Sequence, residues 1–390
     1  MISVPEALDN LFALTSVMPV EHVALRHANG RVLSREVTAQ RTQPPFAASS
    51  MDGYALRRAE VELDAMFKVV GEAAAGHRYE GSLRAGQAVR IFTGAPVPDG
   101  ADFVVIQEDV TRRGDLITLG YKIGSKDNIR PAGGDFVEGT PLSAPRRLRP
   151  ADIALLAAMN IASVPVYVKP VVAIIATGDE LVQPGESPGP DQIIASNTYG
   201  LAATLEELGA TARLMPIARD NAASLKRSFE LAQGADLIIT IGGASVGDHD
   251  LVAPVAAELG MQQSFYKVAM RPGKPLMAGR LENTAMVGLP GNPVSAMVCG
   301  CIFVAPMIRA MLGLGQQPAP ERLMPLAADI PANGPREHYM RANLVNGMVT
   351  AASRQDSSLL SVLATASALM VRPPNDPAQP TGAMVRIIDL

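Results

Sequence analysis

Two acids follow a glycine-rich loop in the stretch TIGGASVGDHD, residues 240–250. The glycines have the spacing of a Walker loop, yet Asp248 and His249 stand where that loop requires Lys and Ser or Thr, so the stretch is not a P-loop. Glycines let the backbone approach a ligand closely. The carboxylates of Asp248 and Asp250 would repel a bare phosphate, and Mg²⁺ between acid and phosphate removes that conflict. The loop therefore indicates a phosphorylated ligand carried with a hard divalent cation.

Two more polar loops share this setting, TGDEL with Asp179 and Glu180, and LPGNPVS with Asn292. All three loops directly follow a predicted parallel strand, which is where open α/β sheets bind ligands. Exposed N–H groups at the helix starts after GGAS and PGN favour anions. Glycine and aspartate after a strand are also ordinary turn residues, so a plain turn is an alternative for any single loop. The coincidence of three loops favours a ligand site.

Positive charge is local in this chain. The stretch KVAMRPGKP supplies Lys267, Arg271 and Lys274, which suit a polyanion. The formal net charge of the whole chain is only -4, which gives no bulk electrostatic reason to bind nucleic acid or an anionic membrane. We therefore expect a small polyanionic ligand and neither a nucleic acid nor a membrane as partner.

The only two cysteines, Cys299 and Cys301, are one residue apart in an apolar segment. This is neither a disulfide framework nor a zinc spacing, so core packing and a reducing, cytoplasmic setting are expected. The uncharged run 294–308 is shorter than the roughly 20 residues that cross a bilayer, and it predicts a buried helix. The N-terminus has acids at Glu6 and Asp9 and no basic segment before an apolar core, which argues against an export signal.

The sequence pattern that predicts the elements positioning these loops changes along the chain. Residues up to 43 are predicted to be helical and then extended, and residues 44–134 form a β-rich module of short apolar runs between turn signals. The stretch 149–166 predicts one helix. Strand and helix then alternate from Val171 as in a doubly wound α/β domain, with a helix capped at Ser196 or Asn197. After Gly315 the chain is predicted to form a small β-barrel or sandwich.

Eight stretches occur in order across almost the whole chain: MDGYA, IFTGAPVP, RPAGGD, TGDEL, GGASVGDHD, KVAMRPGKP, GLPGNPVS and MRANL. Together they closely resemble the molybdopterin molybdenumtransferase family, called MoeA in bacteria and the gephyrin E domain in animals. The resemblance implies a multidomain α/β plus β fold. Its parts are an N-terminal domain of residues 1–43 with 135–165, the β-rich module 44–134, a central doubly wound molybdopterin-binding α/β domain 166–314, and a C-terminal β-barrel 315–390. It also implies a homodimer in which Asp52 acts at the cleft of the partner.

The reaction that the resemblance implies is insertion of molybdate into adenylylated molybdopterin with release of AMP, assisted by Mg²⁺. Residues implied in activity are Asp52, Thr93, Asp135, Glu180, Asp220 and Asp250, of which Glu180 and Asp250 are the expected metal ligands. The expected substrate-binding residues are Ser196, Asn197, Gly243, Ser245, Asp248, Lys267, Arg271, Lys274, Pro290, Asn292, Pro293, Ser295 and Arg341. Arg271 stands where the family commonly has lysine, which keeps the charge and changes its shape.

Two other functions are weighed against this one. A molybdopterin adenylyltransferase uses a related α/β domain, but that domain alone would not require the first 165 residues with MDGYA. A non-catalytic scaffold, as in the animal relative, would not need the intact set of acids. Other molybdenum cofactor biosynthesis proteins are further expected partners of the enzyme.

Overall fold

The computed structural model describes residues 1–243 and 251–390. Its first helix, α1 (Val4–Leu14), begins at Ser3, whose hydroxyl accepts a hydrogen bond from the Glu6 amide. The apolar face of α1 is buried in one core with the central α/β domain. The chain then forms strand β1 (Val20–Ala24), a 3₁₀ turn at Leu25–His27, and two short strands, β2 (Val32–Leu33) and β3 (Val37–Thr38).

The β-rich module has its own core, centred on Leu56, Ile91 and Phe103. Its main sheet has the order β8-β5-β7-β6-β10-β9, and β11 pairs with β4. The strands are β4 (Ala48–Ser49), β5 (Gly53–Leu56), β6 (Met66–Ala73), β7 (Gln87–Ile91), β8 (Phe103–Ile106), β9 (Val110–Arg113), β10 (Leu116–Leu119) and β11 (Ile129–Arg130), with 3₁₀ turns at Arg58–Glu60 and Gln107–Asp109.

The chain then returns to pair with its first strands, in the order β1-β14-β2-β13 and β12-β3. The returning elements are β12 (Pro141–Leu142), β13 (Arg146–Arg147), α2 (Pro150–Ala158) and β14 (Ser163–Tyr167). Leu33, Leu156 and Val164 share one core, which groups residues 28–39 with residues 136–166. Helix α1 packs on the α/β domain instead. The predicted domain boundaries stay a prediction.

The single helix predicted for residues 149–166 is wrong in its second half. Helix α2 ends at Ala158, and Asn160 adopts a left-handed conformation with φ of 65°. The following β14 pairs antiparallel with β1 and has three buried residues in a row, Val164 to Val166. Its β-branched valines suit a paired strand and lose side-chain freedom in a helix, so strand pairing prevails over the helical spacing.

The central domain is the predicted doubly wound sheet, in the order β18-β15-β19-β23-β22-β20, in which β18, β15, β19 and β23 are parallel. Its strands are β15 (Val171–Ala176), β16 (Leu181–Val182), β17 (Ile193–Ile194), β18 (Thr211–Leu214), β19 (Leu237–Ile241), β20 (Gln262–Tyr266), β21 (Met270–Arg271), β22 (Met277–Leu281) and β23 (Thr284–Leu289). Its helices are α3 (Asn197–Leu208), α4 (Ala222–Leu231), α5 (Val252–Glu258), α6 (Pro293–Cys299), a π-helical turn Gly300–Val304, and α7 (Ala305–Met311).

The predicted buried helix is the continuous run from α6 to α7. Within the described residues, Pro293–Met311 is the one helix long and apolar enough to cross a membrane, and 83% of its apolar window is buried inside the protein. Burial raises the pKa of the Cys299 and Cys301 thiols, as expected for cysteines packed in a core. The run is therefore a core helix, and it begins at Asn292 and Pro293 as the sequence predicts.

The C-terminal region is a nearly closed sheet of the predicted barrel type. It contains β24 (Arg322–Pro325), β25 (Glu337–Val345), β26 (Met348–Ala351), α8 (Leu360–Thr365), β27 (Ala368–Arg372) and β28 (Met384–Asp389). The order is β21-β25-β27-β28-β24, and β26 pairs with the other part of β25. A bridge between Leu326 and Val349 joins the two ends of this series. Strand β21 belongs to the basic stretch, so this pairing fixes Arg271 against the C-terminal sheet.

Candidate active site

The three polar loops meet at one edge of the central sheet. They follow β15, β19 and β23, which are adjacent and parallel, so their carboxyl ends lie side by side. A side chain on Gly291 would begin 3.6 Å from the Cα atom of Gly242, and the Asn197 amide donates to the Gly291 carbonyl at 2.8 Å. Between the loops lies a cleft of about 710 Å³.

The cleft contains part of the predicted site. The predicted residues that line it are Glu180, Ser196, Asn197, Asp220, Gly243, Pro290, Asn292 and Pro293. Thr177, Thr198, Pro275 and Ser358 line it as well, and they were not predicted. Ser245, Asp248 and Asp250 lie outside the described residues. Among the residues that the structure describes, none of the cleft lining comes from the β-rich module.

Two acidic turns are locked together at the cleft. The Asp220 amide donates to the Asp179 carboxylate at 3.1 Å, and the Asp179 amide donates to the Asp220 carboxylate at 3.3 Å. Arg219 donates to the carbonyls of Asp179 and Leu181. Gly178 has φ of +150°, and a side chain there would lie 2.3 Å from a carboxylate oxygen of Glu180. These contacts hold three acids on one short turn pair.

The acids suit a metal that arrives with its ligand. Within residues 1–243 and 251–390, no group of three or more His, Cys, Asp or Glu side chains is placed to hold a metal ion. Mg²⁺, however, is usually held by one or two carboxylates together with phosphate oxygens and water. Glu180 and Asp220 both line the cleft, so the residues present fit a Mg²⁺ shared with a phosphorylated ligand.

A buried arginine lies behind the C-terminal wall of the cleft. Arg341 is fully buried, and one of its guanidinium nitrogens, Nη2, donates to the Asp356 carbonyl at 2.9 Å. Its Nε and Nη1 atoms have no hydrogen-bond partner among the described residues. Two residues beyond Asp356, Ser358 lines the cleft. Burial lowers the pKa of Arg341, the nearby Asp356 carboxylate acts in the opposite direction, and nearby Arg271 lowers the pKa further.

Arg372 shows what a purely structural buried arginine looks like in the same sheet. It is 1% exposed, and all three of its guanidinium nitrogens have partners, namely the Asp376 carboxylate and the carbonyls of Pro331 and Pro377. An unpaired buried donor costs about 1–3 kcal/mol, and more when it is charged. Arg341 therefore differs from Arg372 in keeping two buried donors without a partner among the described residues.

Four other predicted binding residues do not line the cleft, namely Lys267, Arg271, Lys274 and Ser295. Arg271 and Lys274 are exposed, and Pro275 next to Lys274 lines the cleft. Lys267 has φ of 71°, and its ammonium lies 5.0 Å from the centre of the Tyr266 ring. Ser295 is buried in α6. Arg271 thus lies against the C-terminal sheet, and Lys274 lies next to a residue of the cleft lining.

Asp52 and Thr93 form a second cluster on the β-rich module. One carboxylate oxygen of Asp52 accepts from both the amide and the hydroxyl of Thr93 at 2.8 Å. These bonds, followed by the charge of Arg90, lower the pKa of Asp52. The Arg90 guanidinium lies over the rings of Tyr54 and Phe92 at 5.0 and 4.7 Å. The cluster is an exposed, ionised carboxylate held in one direction.

Asp135, the third acid expected on this side, is separate from both clusters. Its side chain is exposed, and its amide donates to the Gln43 carbonyl at 3.0 Å. No contact of the described residues joins it to Asp52 or to the cleft. Its predicted role stays a prediction.

The turn at Gly242 provides a test of how the glycine loop is built. Gly242 has φ of +94°, and a side chain there would lie 2.8 Å from the Thr177 carbonyl oxygen. We expect Gly242→Ala to lower the free energy of unfolding by about 2 kcal/mol or more, because strain and a backbone clash combine. Gly234→Ala is the control, since Gly234 has φ of +76° and open space around it. Equal losses in chemical denaturation would show that the close approach to Thr177 does not matter.

Three family models match successive parts of the chain. Residues 2–160 match the model of the MoeA N-terminal region (domain I and II). Residues 173–310 match a probable molybdopterin binding domain, and residues 324–390 match the MoeA C-terminal region (domain IV).

Full-length relatives and a solved structure are similar to the chain as well. The molybdopterin molybdenumtransferase of Nostoc sp. is 36% identical, over 97% of this chain and 90% of its own length. That of Bacillus subtilis is 33% identical, over 99% and 94%. The crystal structure of the molybdopterin biosynthesis MoeA protein from Pyrococcus horikoshii superposes with a TM-score of 0.84 at 28% identity, covering all of both chains. The chain therefore belongs to the molybdopterin molybdenumtransferase family.

Proposed function

We propose that this enzyme of molybdenum cofactor biosynthesis inserts molybdate into adenylylated molybdopterin and releases AMP, with Mg²⁺ bound beside the phosphates. The observation that carries the proposal is the adjacency of two kinds of site. A cleft with strand-end loops and carboxylates suits a phosphorylated ligand, and the unpaired nitrogens of buried Arg341 suit a tetrahedral oxyanion next to it.

Each part of the cleft has a role in this proposal. Ser196, Asn197, Gly243, Asn292 and Pro293 lie at loop ends and helix starts where the pterin phosphate and adenylate would bind. Mg²⁺ would be held by Glu180 together with Asp220 or Asp250, and it would neutralise charge on the ligand phosphates. Arg271, Lys274 and Arg341 would hold molybdate.

The proposed homodimer accounts for the separation of the two clusters. Asp52 and Thr93 lie on the β-rich module, which contributes none of the described cleft lining. A second subunit facing the cleft with its module would bring an ionised acid to the reacting phosphates. The separation of the two clusters supports a site shared between subunits. We further propose that the enzyme acts in the cytoplasm, where other cofactor biosynthesis proteins would deliver the substrate and take up the product.

The direct test is incubation of the protein with adenylylated molybdopterin, Mg²⁺ and molybdate, followed by measurement of AMP. We expect AMP release that depends on molybdate. ATP consumption on addition of molybdopterin, without molybdate-dependent AMP release, would show an adenylyltransferase instead. Absence of both reactions would favour a scaffold.

The basic stretch gives a prediction about oxyanion binding. We expect Lys274→Ala to weaken molybdate binding about tenfold or more, since a charge-assisted contact contributes roughly 1.5–3 kcal/mol and 1.4 kcal/mol is a factor of ten. Thermal stability should stay near that of the wild type, because the side chain is exposed. Calorimetry measures both quantities.

Lys169→Ala is the matched control for this change. Lys169 is exposed like Lys274 but precedes β15, at the opposite end of the sheet from the cleft. The same weakening in both variants would show a general charge effect, and no weakening in Lys274→Ala would remove Lys274 from the site.

A further inference from the structure

His338 is a buried titratable residue beside the proposed oxyanion site, and no role has been assigned to it above. It lies on β25, where it is paired in register with Arg271 of β21 on one side and with Arg372 of β27 on the other. The residue is 7% exposed, and its Nε2 atom is buried without a hydrogen-bond partner among the described residues. An imidazole in this position can gain or lose a proton without breaking an existing bond at that nitrogen.

The charges that act most strongly on His338 belong to four arginines, while Glu337 precedes it in β25 and pairs with Arg386. Arg271 acts from β21 and Arg372 from β27. Arg336 precedes β25, and Arg341 lies within it. Arg372 is neutralised by Asp376. The Arg271 side chain has no hydrogen bond or ion pair within the described residues, and the guanidinium of Arg336 donates only a long bond to the Met270 carbonyl at 3.4 Å. Asp356 acts on Arg341, so the uncompensated positive charge at the imidazole comes from Arg271 and Arg336.

This environment keeps His338 neutral in the unliganded protein. Burial, followed by the charges of Arg271, Arg341, Arg336 and Arg372, lowers the pKa of His338 to about 4. Arg271 acts on both His338 and Arg341, and it is paired in register with His338. An anion that binds Arg271 and Arg341 would thus change the charge that His338 experiences most strongly.

A bound tetrahedral dianion would favour the protonated form of the His338 imidazole. Opposite charge nearby favours the protonated form of an imidazole, whereas like charge disfavours it. Two negative charges placed against Arg271 and Arg341 would offset the two arginines that act most strongly on the ring. The bound state should therefore favour the imidazolium far more than the free state does.

We propose that an oxyanion bound against Arg271 and Arg341 brings one proton onto His338, which makes His338 a positioning residue of this site. The inference rests on the proposed function, since it assumes that the oxyanion site lies at Arg341. The proton comes from the solvent, the neutral imidazole becomes imidazolium, and no other bond forms or breaks. The dianion and the proton enter together, so the arginine cluster holds the anion with an added cation that is absent when the site is free.

The sign of the pH dependence follows from this linkage. Above the pKa that His338 has in the complex, neither state is protonated and affinity does not change with pH. Between that value and about 4, only the complex carries the proton, so affinity rises as pH falls, by up to tenfold for each pH unit.

The test is calorimetric titration of the full-length protein with molybdate between about pH 6 and 8, in buffers with different heats of ionisation. We expect the wild type to take up a fraction of a proton that grows as pH falls. His338→Gln should bind with little uptake and a flatter pH profile, because the amide has similar size and does not titrate. His338→Asn serves as a second variant if the first does not fold. His22→Gln is the matched control, since His22 also lies beside an arginine, Arg35, but on β1.

Each outcome decides a different point. Equal proton uptake in the wild type and both His338 variants, or no uptake in the wild type, would overturn the role of His338 while leaving the anion site intact. Failure of molybdate to bind the wild type at any pH would overturn the proposed anion site itself.

Stability without ligand gives an independent check. Because the folded pKa of His338 is lower than the unfolded value near 6.5, the unfolded state binds more protons between about pH 6.5 and 4. The wild type should therefore lose more stability on acidification through this window than His338→Gln does. Identical losses would show that His338 is not kept neutral in the folded protein.

Discussion

Asp52→Asn is expected to lower molybdate-dependent AMP release by about 100-fold or more, the range found when a group acting on a reacting centre is lost. The amide oxygen can still accept from the amide and hydroxyl of Thr93, so the turn should keep its shape while the negative charge disappears. Steady-state AMP release at saturating molybdate measures the effect. Unfolding curves should stay close to those of the wild type.

Asp329 offers an unusually close control. One of its carboxylate oxygens accepts from the amide and hydroxyl of Thr381 at 2.7 and 2.8 Å, the same arrangement as at Asp52. The same hydrogen bonds lower its pKa as well. This repetition shows that the turn alone is no evidence of catalysis. Asp329→Asn should therefore leave AMP release unchanged, and an equal loss in both variants would mean that Asp52 has only a structural role.

A mixed dimer tests whether Asp52 acts on the partner subunit. A subunit with Asp52→Asn paired with a subunit with Glu180→Gln leaves one cleft with both acids intact if the site is shared between subunits. At a Mg²⁺ concentration too low to support the Glu180→Gln homodimer, we expect activity well above that of either parent homodimer. Activity no greater than the parents would place Asp52 and Glu180 of one subunit at the same cleft.

The sequence predicted best what depends on local order. Strands β15, β19 and β23 are continuous apolar runs, and the polar loop after each is fixed by covalent sequence, so their meeting follows from parallel pairing alone. Asn292 and Pro293 likewise begin α6 where a cap and a first-turn proline are expected. Glu180 and Asn292 line the cleft for this reason, and Asn197 lines it at the start of α3, where a helix cap was predicted.

What depends on distant packing was missed. Ser358 lines the cleft because the loop at 355–358 packs on α6, where the Val294 amide donates to the Ser357 carbonyl. Nothing in the local sequence of Ser358 indicates this. Thr177 is different, since it is the first letter of TGDEL and could have been included. The state of Arg341 also required the structure, because MRANL alone does not show that two guanidinium nitrogens lack partners.

The helix predicted through residues 149–166 failed for a related reason. Apolar residues at helical spacing continue past Ala158, but Val164 and Val166 have a partner strand in β1, more than 130 positions earlier in the chain. Pairing with a distant strand is invisible to a local window. The left-handed Asn160 marks the change, and Asn is among the residues that most readily adopt this conformation.

Glu180→Gln is expected to raise the Mg²⁺ concentration needed for half-maximal AMP release by about tenfold or more. The carboxylate lines the cleft and is held over Gly178, so the neutral amide removes one charged ligand without enlarging or closing the space. A lost charge-assisted contact of roughly 1.5–3 kcal/mol corresponds to at least this factor. Binding of the pterin ligand without metal should change little, because the acid contacts the ligand through Mg²⁺. Glu186→Gln is the control on the same loop, since Glu186 accepts from the Gln183 amide at 2.8 Å and lies outside the cleft lining. Superimposable Mg²⁺ titrations for the wild type and Glu180→Gln would assign Glu180 to the phosphates or to protein structure instead of the metal.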